Sequence, residues 1–291
     1  MRQKAIGAVT RVMMEQDVAS GVRLNTLAGW NQTAADWRRF LENSATGCFV
    51  TEVDGQVVGT AATICYENRF AWIGMVLVDP EFRGMGIGTE LLHKAIEHLE
   101  RSGIPTMKLD ATPLGKPIYL KLGFVPEYEI ERWTLKRAAV AGASKPAQLG
   151  KISEENQIAQ VCELDRELFG ADRGFLLRSL LEESPGWTVI LYKDKRPRGY
   201  ALGRNGLFAD HLGPWCARNR EAAQELLQSF LQQSSRETII VDCLPSNSAI
   251  VDLLETAGFT YSRPLTRMVR GQNLHPGKPE SICAILGPEF G

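Results

Sequence analysis

The chain repeats itself, and this restricts its fold more than any other feature it carries. Gly123-Phe124, followed by Arg132, recurs as Gly258-Phe259 followed by Arg267, a shift of 135 positions. The same shift carries Glu90-Leu91-Leu92 onto Glu225-Leu226-Leu227. Leu109-Asp110 and Pro113 return as Val241-Asp242 and Pro245 at a shift of 132, so short insertions move the register. Between the copies, the stretch from Arg137 to Gly150 has no sustained apolar period and is rich in Ala, Gly, Ser and Pro, which reads as a linker. A chain of 291 residues exceeds the usual single domain. The reading is therefore two domains, residues 1–137 and 151–291, joined by a linker at 138–150.

The charge balance narrows the partners. With 33 Lys+Arg against 34 Asp+Glu the net charge is -1, which gives no surface built to neutralise nucleic-acid phosphates or anionic lipid. A small molecule is the expected partner, with no nucleic acid and no membrane. The six cysteines at 48, 65, 162, 216, 243 and 283 form no CxxC pair, and the four histidines are equally scattered, so neither a metal site nor a disulfide framework is expected. The amino-terminal residues lack the apolar core of a signal peptide, and the expectation is a cytoplasmic protein.

Periodicity gives an α+β first half. Thr10 to Leu27 reads as a helical region and Thr33 to Leu41 as a second helix capped by Thr33. Cys48 to Val53 and Gln56 to Tyr66 form a hairpin across Asp54-Gly55, a dipeptide that permits positive φ. Arg69 to Val78 is an apolar central strand. Gly86 to Arg101 places Ile87, Leu91, Leu92, Ala95, Ile96 and Leu99 on one helical stripe. A strand at Thr106 to Ala111, a short helix after Pro117 and a strand at Tyr128 to Leu135 complete it.

The segment Val76-Leu77-Val78-Asp79-Pro80-Glu81-Phe82-Arg83-Gly84-Met85-Gly86-Ile87-Gly88-Thr89 joins the central strand to the amphipathic helix. Glycines let the backbone approach a ligand closely. The first N–H groups of a helix lack internal partners and carry the positive end of its dipole, so this turn is a phosphate or pyrophosphate cradle. The glycine spacing is neither GxGxxG nor that of a P-loop, which argues against NAD and ATP.

Arg83-Gly84-Met85-Gly86-Ile87-Gly88 resembles the (Gln/Arg)-x-x-Gly-x-(Gly/Ala) motif of the GNAT superfamily of N-acetyltransferases. The preceding Val-Asp-Pro, the helix with Leu91-Leu92, and Ile118 to Phe124 stand in that family's order. The resemblance is close over about residues 5 to 137 and holds in outline for the second half. It implies two GNAT-like domains, each a mixed, mainly antiparallel sheet flanked by helices, with acetyl-CoA as co-substrate and no metal. It implies that Leu77 and Val78 pair with the pantetheine arm. The turn residues Arg83, Gly84, Met85, Gly86, Ile87, Gly88 and Thr89 would hold the pyrophosphate.

Transfer of acetyl from a thioester to an amine needs a neutral amine, stabilisation of the oxyanion and a proton for the departing thiolate. A phenol is matched in pKa to a thiol, and Tyr119 stands where many GNAT enzymes carry a general-acid tyrosine. Asp110 and Glu67 are the candidate bases, with a structural strand residue and a solvated turn residue as the alternative readings. Trp30 and Asn31, with Trp37 further on, lie between the first two helical regions, which in the family border the acceptor pocket; core packing is the other reading for the tryptophans. Asp172-Arg173 reads as an N-cap beside a surface arginine, with a pocket pair as the alternative reading.

The second half departs from the motif. Arg218 stands opposite Arg83, but Asn219, Glu221 and Ala223 replace Gly84, Gly86 and Gly88, and Leu254 stands in the place of Tyr119. A carboxylate at that helix start repels a pyrophosphate. The expectation is an acetyl-CoA-dependent N-acetyltransferase acting on a small primary amine, with a degenerate second domain. A protein lysine or N-terminal amine is the alternative acceptor, and a non-catalytic acyl-CoA sensor the alternative class.

Overall fold

The computed structural model describes residues 7–138, 155–193 and 196–291; the expected linker lies outside the described residues from 139 onward. The first half runs β1 (Val9–Val12), α1 (Val18–Leu27), α2 (Ala34–Asn43), β2 (Cys48–Val53), β3 (Gln56–Tyr66), β4 (Phe70–Val78), α3 (Ile87–Arg101), β5 (Thr106–Ala111), α4 (Lys116–Lys121) and β6 (Val125–Lys136). The second half runs α5 (Glu155–Phe169), α6 (Gly174–Glu183), β7 (Val189–Lys193), β8 (Arg196–Asn205), β9 (Asp210–Ala217), α7 (Arg220–Gln233), β10 (Thr238–Cys243), α8 (Ser248–Thr256), β11 (Thr260–Gly271) and β12 (Ile282–Ala284). The α+β class and the mainly antiparallel sheet flanked by helices are as expected.

One expected element is different. The start of the presumed helical region is the strand β1, in which Val9 and Val12 pair with Glu52 and Phe49 of β2. Its β-branched residues suit a strand, and the helix proper begins only at Val18. Thr33 does start α2, with Asp36 accepting from the Thr33 N–H at 2.8 Å.

The two halves do not keep separate sheets. Among the described residues the strands form one twelve-stranded sheet in the order β1-β2-β3-β4-β5-β11-β6-β10-β12-β9-β8-β7. The equivalent strands β6 and β11 have changed places: β11 pairs with β5 of the first half, and β6 with β10 of the second. Each buries its apolar face in the other half's core. Met268 of β11 packs with Leu91, Leu109 and Phe124, and Trp133 of β6 packs among the residues around Leu226 and Leu254. Neither half covers its own core without the other.

Two buried ion pairs fix the exchange. Arg267 of β11 grips Asp110 of β5 with contacts of 2.9 and 2.8 Å, and Arg132 of β6 grips Asp242 of β10 with two contacts of 2.7 Å. These are the same pair in the two copies, crossed between halves. No helix among the described residues is long and apolar enough to cross a membrane. Their six cysteines are all free.

Candidate active site

A bulge in β4 opens the site. Thr60 of β3 faces Leu77 and Ala62 faces Gly74, so Met75 and Val76 together oppose Ala61. Met75 is forced to φ +55°, and the Thr60 hydroxyl donates to its carbonyl at 2.8 Å. A bulge bends its strand and sharpens the twist. Beyond it, β4 leaves β5: the two pair only at Ala71–Met107 and Trp72–Lys108. The β4 edge beyond Trp72 therefore has no neighbouring strand on that side, and residues 73–76 line a cleft there.

That edge leads into the glycine turn. Gly84 and Gly86 adopt φ of +83° and +87°, conformations that side-chain-bearing residues avoid, and a Cβ at either would meet open space. Gly86 is the N-cap of α3 and has no side chain to cap it. Glu90 is the first residue whose N–H reaches a helical carbonyl, that of Gly86 at 3.0 Å, so the amides of Ile87, Gly88 and Thr89 precede the helical ladder. Gly88 lies against Val78, where an added Cβ would stand 3.3 Å from its methyl, which sets the helix start beside the strand edge. Arg83 is tied back to the Val78 carbonyl at 3.1 Å, and Met85 projects into solvent. The backbone here is shaped to take an anion.

Tyr119 of α4 lines the cleft beside residues 73–76, with its ring edge-on to Phe124 at 6.0 Å. Burial of the phenol pushes its pKa up to about 12. Its hydroxyl has no hydrogen-bond partner among the described residues. By contrast, Tyr66 donates to the Phe290 carbonyl at 2.8 Å, Tyr128 accepts from Arg267 at 2.6 Å and Tyr200 donates to Asp165. Tyr119 thus presents a protonated phenol at the cleft.

The two candidate bases are engaged elsewhere. Asp110 borders the cleft, but both its carboxylate oxygens are held by Arg267. Burial raises its pKa, and the guanidinium opposes that rise. Glu67 sits in the β3–β4 turn at the opposite end of β4 from the glycines, where it accepts from Arg166 at 3.1 and 2.6 Å and from the Asp172 N–H at 2.8 Å. It joins the halves and does not reach the cleft.

The acceptor-side residues divide. Trp30 lines the cleft, whereas Asn31 is buried against the second half: its Oδ1 accepts from the Phe208 and Ala209 N–H groups, both at 2.9 Å, and its Nδ2 donates to the Ala209 carbonyl at 3.0 Å. Trp37 is a core residue. Arg173, expected at the surface, is buried in a bidentate pair with Asp165 at 2.9 Å. Asp172 does cap locally, accepting from the Gly174 N–H at 2.7 Å.

Sequence reasoning missed the cleft's other wall, which comes from the second half: Arg263 and Leu265 of β11, then Pro288 and Glu289. Trp72 donates to the Pro288 carbonyl at 3.0 Å, and the Glu289 backbone lies so close to Gly74 that a Cβ there would sit 2.5 Å from its carbonyl oxygen. The repeat pairs β6 with β11 in sequence but carries no signal that they trade partners.

In the equivalent region of the second half the helix start is capped and the strand gap is filled. Asn219 caps α7 and accepts from the Ala222 N–H at 2.9 Å, so the helix start satisfies itself. β12 fills the gap between β9 and β10, pairing Ile282 with Cys216 and Ala284 with Cys243. Leu254, in the place of Tyr119, is fully buried.

Both halves match known families: residues 18–124 the acetyltransferase (GNAT) family, and residues 161–284 an acetyltransferase (GNAT) domain. The chain is 25% identical over 263 residues to a holothin acyltransferase of Pseudoalteromonas sp. (strain SANK 73390), covering 90% of this chain and 87% of that protein. It is 22% identical over 245 residues to an uncharacterised N-acetyltransferase of Bacillus subtilis (strain 168), covering 84% and 85%. Its fold is similar to the crystal structure of a Pyrococcus horikoshii protein described as an acetyltransferase, with TM-score 0.79, 22% identity and coverage of 98% and 96%. With a GNAT domain in each half, the chain belongs to the GNAT acetyltransferases as a tandem member and is an acyltransferase.

Proposed function

We propose that the first half, completed by β11, is an acetyl-CoA-dependent centre that acetylates the primary amine of a small molecule by direct attack on the thioester. The observation that carries this is the convergence on one strand, β4, of three features: an uncapped helix start with glycines at 84 and 86, an open edge at Leu77 and Val78, and Tyr119 with an unengaged hydroxyl. Acetyl-CoA supplies an activated acyl carbonyl and a thiol leaving group.

In this reading the amides of residues 84–89 hold the pyrophosphate, with the dipole of α3 behind them. The β4 edge pairs with the pantetheine arm as a strand would. The bulge turns backbone N–H groups near Val78 toward the acyl oxygen, where negative charge develops. Tyr119 stays protonated across the working range and donates to the departing sulfur. Asp110 and Glu289 border the cleft, but Arg267 holds the first, and Arg204 and Gln32 the second. No carboxylate lining the cleft is left over as a base among the described residues. The acceptor therefore loses its ammonium proton to water before attack.

The second half carries no acetyl-CoA chemistry of its own in this reading. It supplies β11 and the far wall, and its own cleft is filled by β12 and capped by Asn219. The unengaged phenol favours an enzyme over a sensor. Thiol release measured over a panel of amines tests the reading. Tyr119→Phe should lower kcat more than about tenfold while leaving acetyl-CoA affinity nearly unchanged; unchanged turnover removes Tyr119 from the mechanism.

A further inference from the structure

The wall that the second half contributes carries a charge the site does not balance. Four acidic or basic side chains line the cleft: Asp110, Arg132, Arg263 and Glu289. Asp110 is paired with Arg267, Glu289 with Arg204, and Arg132 with Asp242. Arg263 makes no hydrogen bond or ion pair among the described residues, although it is half-buried.

Its position follows from a second bulge. Tyr261 faces Trp133 and Arg263 faces Arg132, so Ser262 is the extra residue on β11. Directly opposed residues share a face, and Arg263 is thereby set beside Arg132 on the cleft side. Asp242, the acidic group nearest the two guanidinium groups, is already held by Arg132. Desolvation and the nearby Arg132 push the Arg263 pKa down to about 10, which leaves it a cation at neutral pH with an unmet need for an anion. None of residues 83–89 lines this part of the cleft, whereas Tyr119 does. The unmet charge belongs to the acceptor's end of the site.

We propose that the acceptor amine carries an anionic oxygen group, a carboxylate or a phosphate, which Arg263 holds while the amine points toward Tyr119. This rests on the cleft being the acceptor pocket of an acetyltransferase. A guanidinium fork matches both oxyanions in a bidentate manner. The group comes from β11, so the second half selects the substrate that the first half acetylates.

The test is a calorimetric titration of the full chain, with and without coenzyme A, using three product-like probes: N-acetylglycine, N-acetyl-2-aminoethyl phosphate and the neutral N-acetylglycinamide. At least one anionic probe should bind about tenfold tighter than the amide. Arg263→Gln should abolish that difference and Arg263→Lys restore part of it. Because Arg263 holds no other group, both variants should fold with unchanged Tm. Equal binding of all three probes, no binding of any, or selectivity that survives in Arg263→Gln overturns the proposal. Which anionic probe wins separates carboxylate from phosphate. Thiol release with matched amines separates the anion site from acetyl transfer. Turnover confined to neutral amines overturns the anion site and leaves acetyl transfer standing. No turnover with any amine, alongside selective anion binding that Arg263→Gln removes, overturns acetyl transfer and leaves the anion site standing.

Discussion

Replacing Arg267 with Met should cost this fold about 3–5 kcal/mol, because it strands the carboxylate of Asp110 in the interior. The Asp110 side chain is 0% exposed and that of Arg267 4%, and the two contacts between them measure 2.9 and 2.8 Å. A unit-charge pair about 4 Å apart at an effective dielectric of about 20 is worth about 4 kcal/mol, which agrees with that range. At about 2–4 °C per kcal/mol for a chain of this size, Tm should fall by about 10 °C, read by circular dichroism. Arg267 also touches the Tyr128 hydroxyl and lies over the Trp72 ring at 4.5 Å. A double-mutant cycle with Asp110→Leu isolates the ion pair from those contacts. The single Arg267→Met variant should be less stable than the Arg267→Met, Asp110→Leu double variant, since the double leaves no buried charge. Burial raises the Asp110 pKa and Arg267 opposes that rise, so removing Arg267 moves the carboxyl further up. Acidification then protonates it and relieves the cost, and the Tm deficit against wild type should shrink between about pH 8 and pH 5. A single variant no less stable than the double, with a deficit independent of pH, would refute the role given to this pair.

With both carboxylates that line the cleft held among the described residues and Tyr119 protonated to about 12, kcat/KM should rise with pH until the acceptor's own amine has titrated and then stay level. A plateau set by a group in the carboxylate or imidazole range would contradict this. Residues 1–138 expressed alone lack β11, so the β5 edge, Asp110 and the surface under Met268 are left uncovered. This fragment should be insoluble or aggregate, and co-expression with residues 155–291 should recover it, as read by size-exclusion chromatography. A monomeric, cooperatively folded fragment 1–138 would remove the need for exchange.

The strand-helix-strand order, the glycine turn and the short helix that carries Tyr119 were legible in the sequence because each rests on a local pattern: an apolar period, a glycine spacing, a turn dipeptide. The repeat even singled out Asp110, Arg132, Asp242 and Arg267. What it could not supply is which copy pairs with which. Exchange of β6 and β11 leaves every local sequence unchanged and alters only the partners, so residues equivalent by a shift of 135 end up beside each other's halves. For the same reason Asp110 resembled a catalytic carboxylate until its partner came from the other copy. Asn31 resembled a pocket residue because its three hydrogen bonds reach residues 208 and 209, far away in the chain. The β4 bulge gave no signal either, since a methionine, not a glycine, takes the positive φ. β1 was too short for its alternation to stand out beside the helix that follows.

The tandem chain should hold one working acetyl-CoA site, in its first half. Isothermal titration of acetyl-CoA into the full chain measures this directly. One site per chain is predicted. Gly86→Glu, which copies Glu221 of the second half into the cradle, should abolish binding with little loss of fold, because a side chain at Gly86 meets open space and bears only the cost of its positive φ. Asn219→Gly should leave the stoichiometry at one. Two sites per chain, or undiminished binding in Gly86→Glu, would contradict the account.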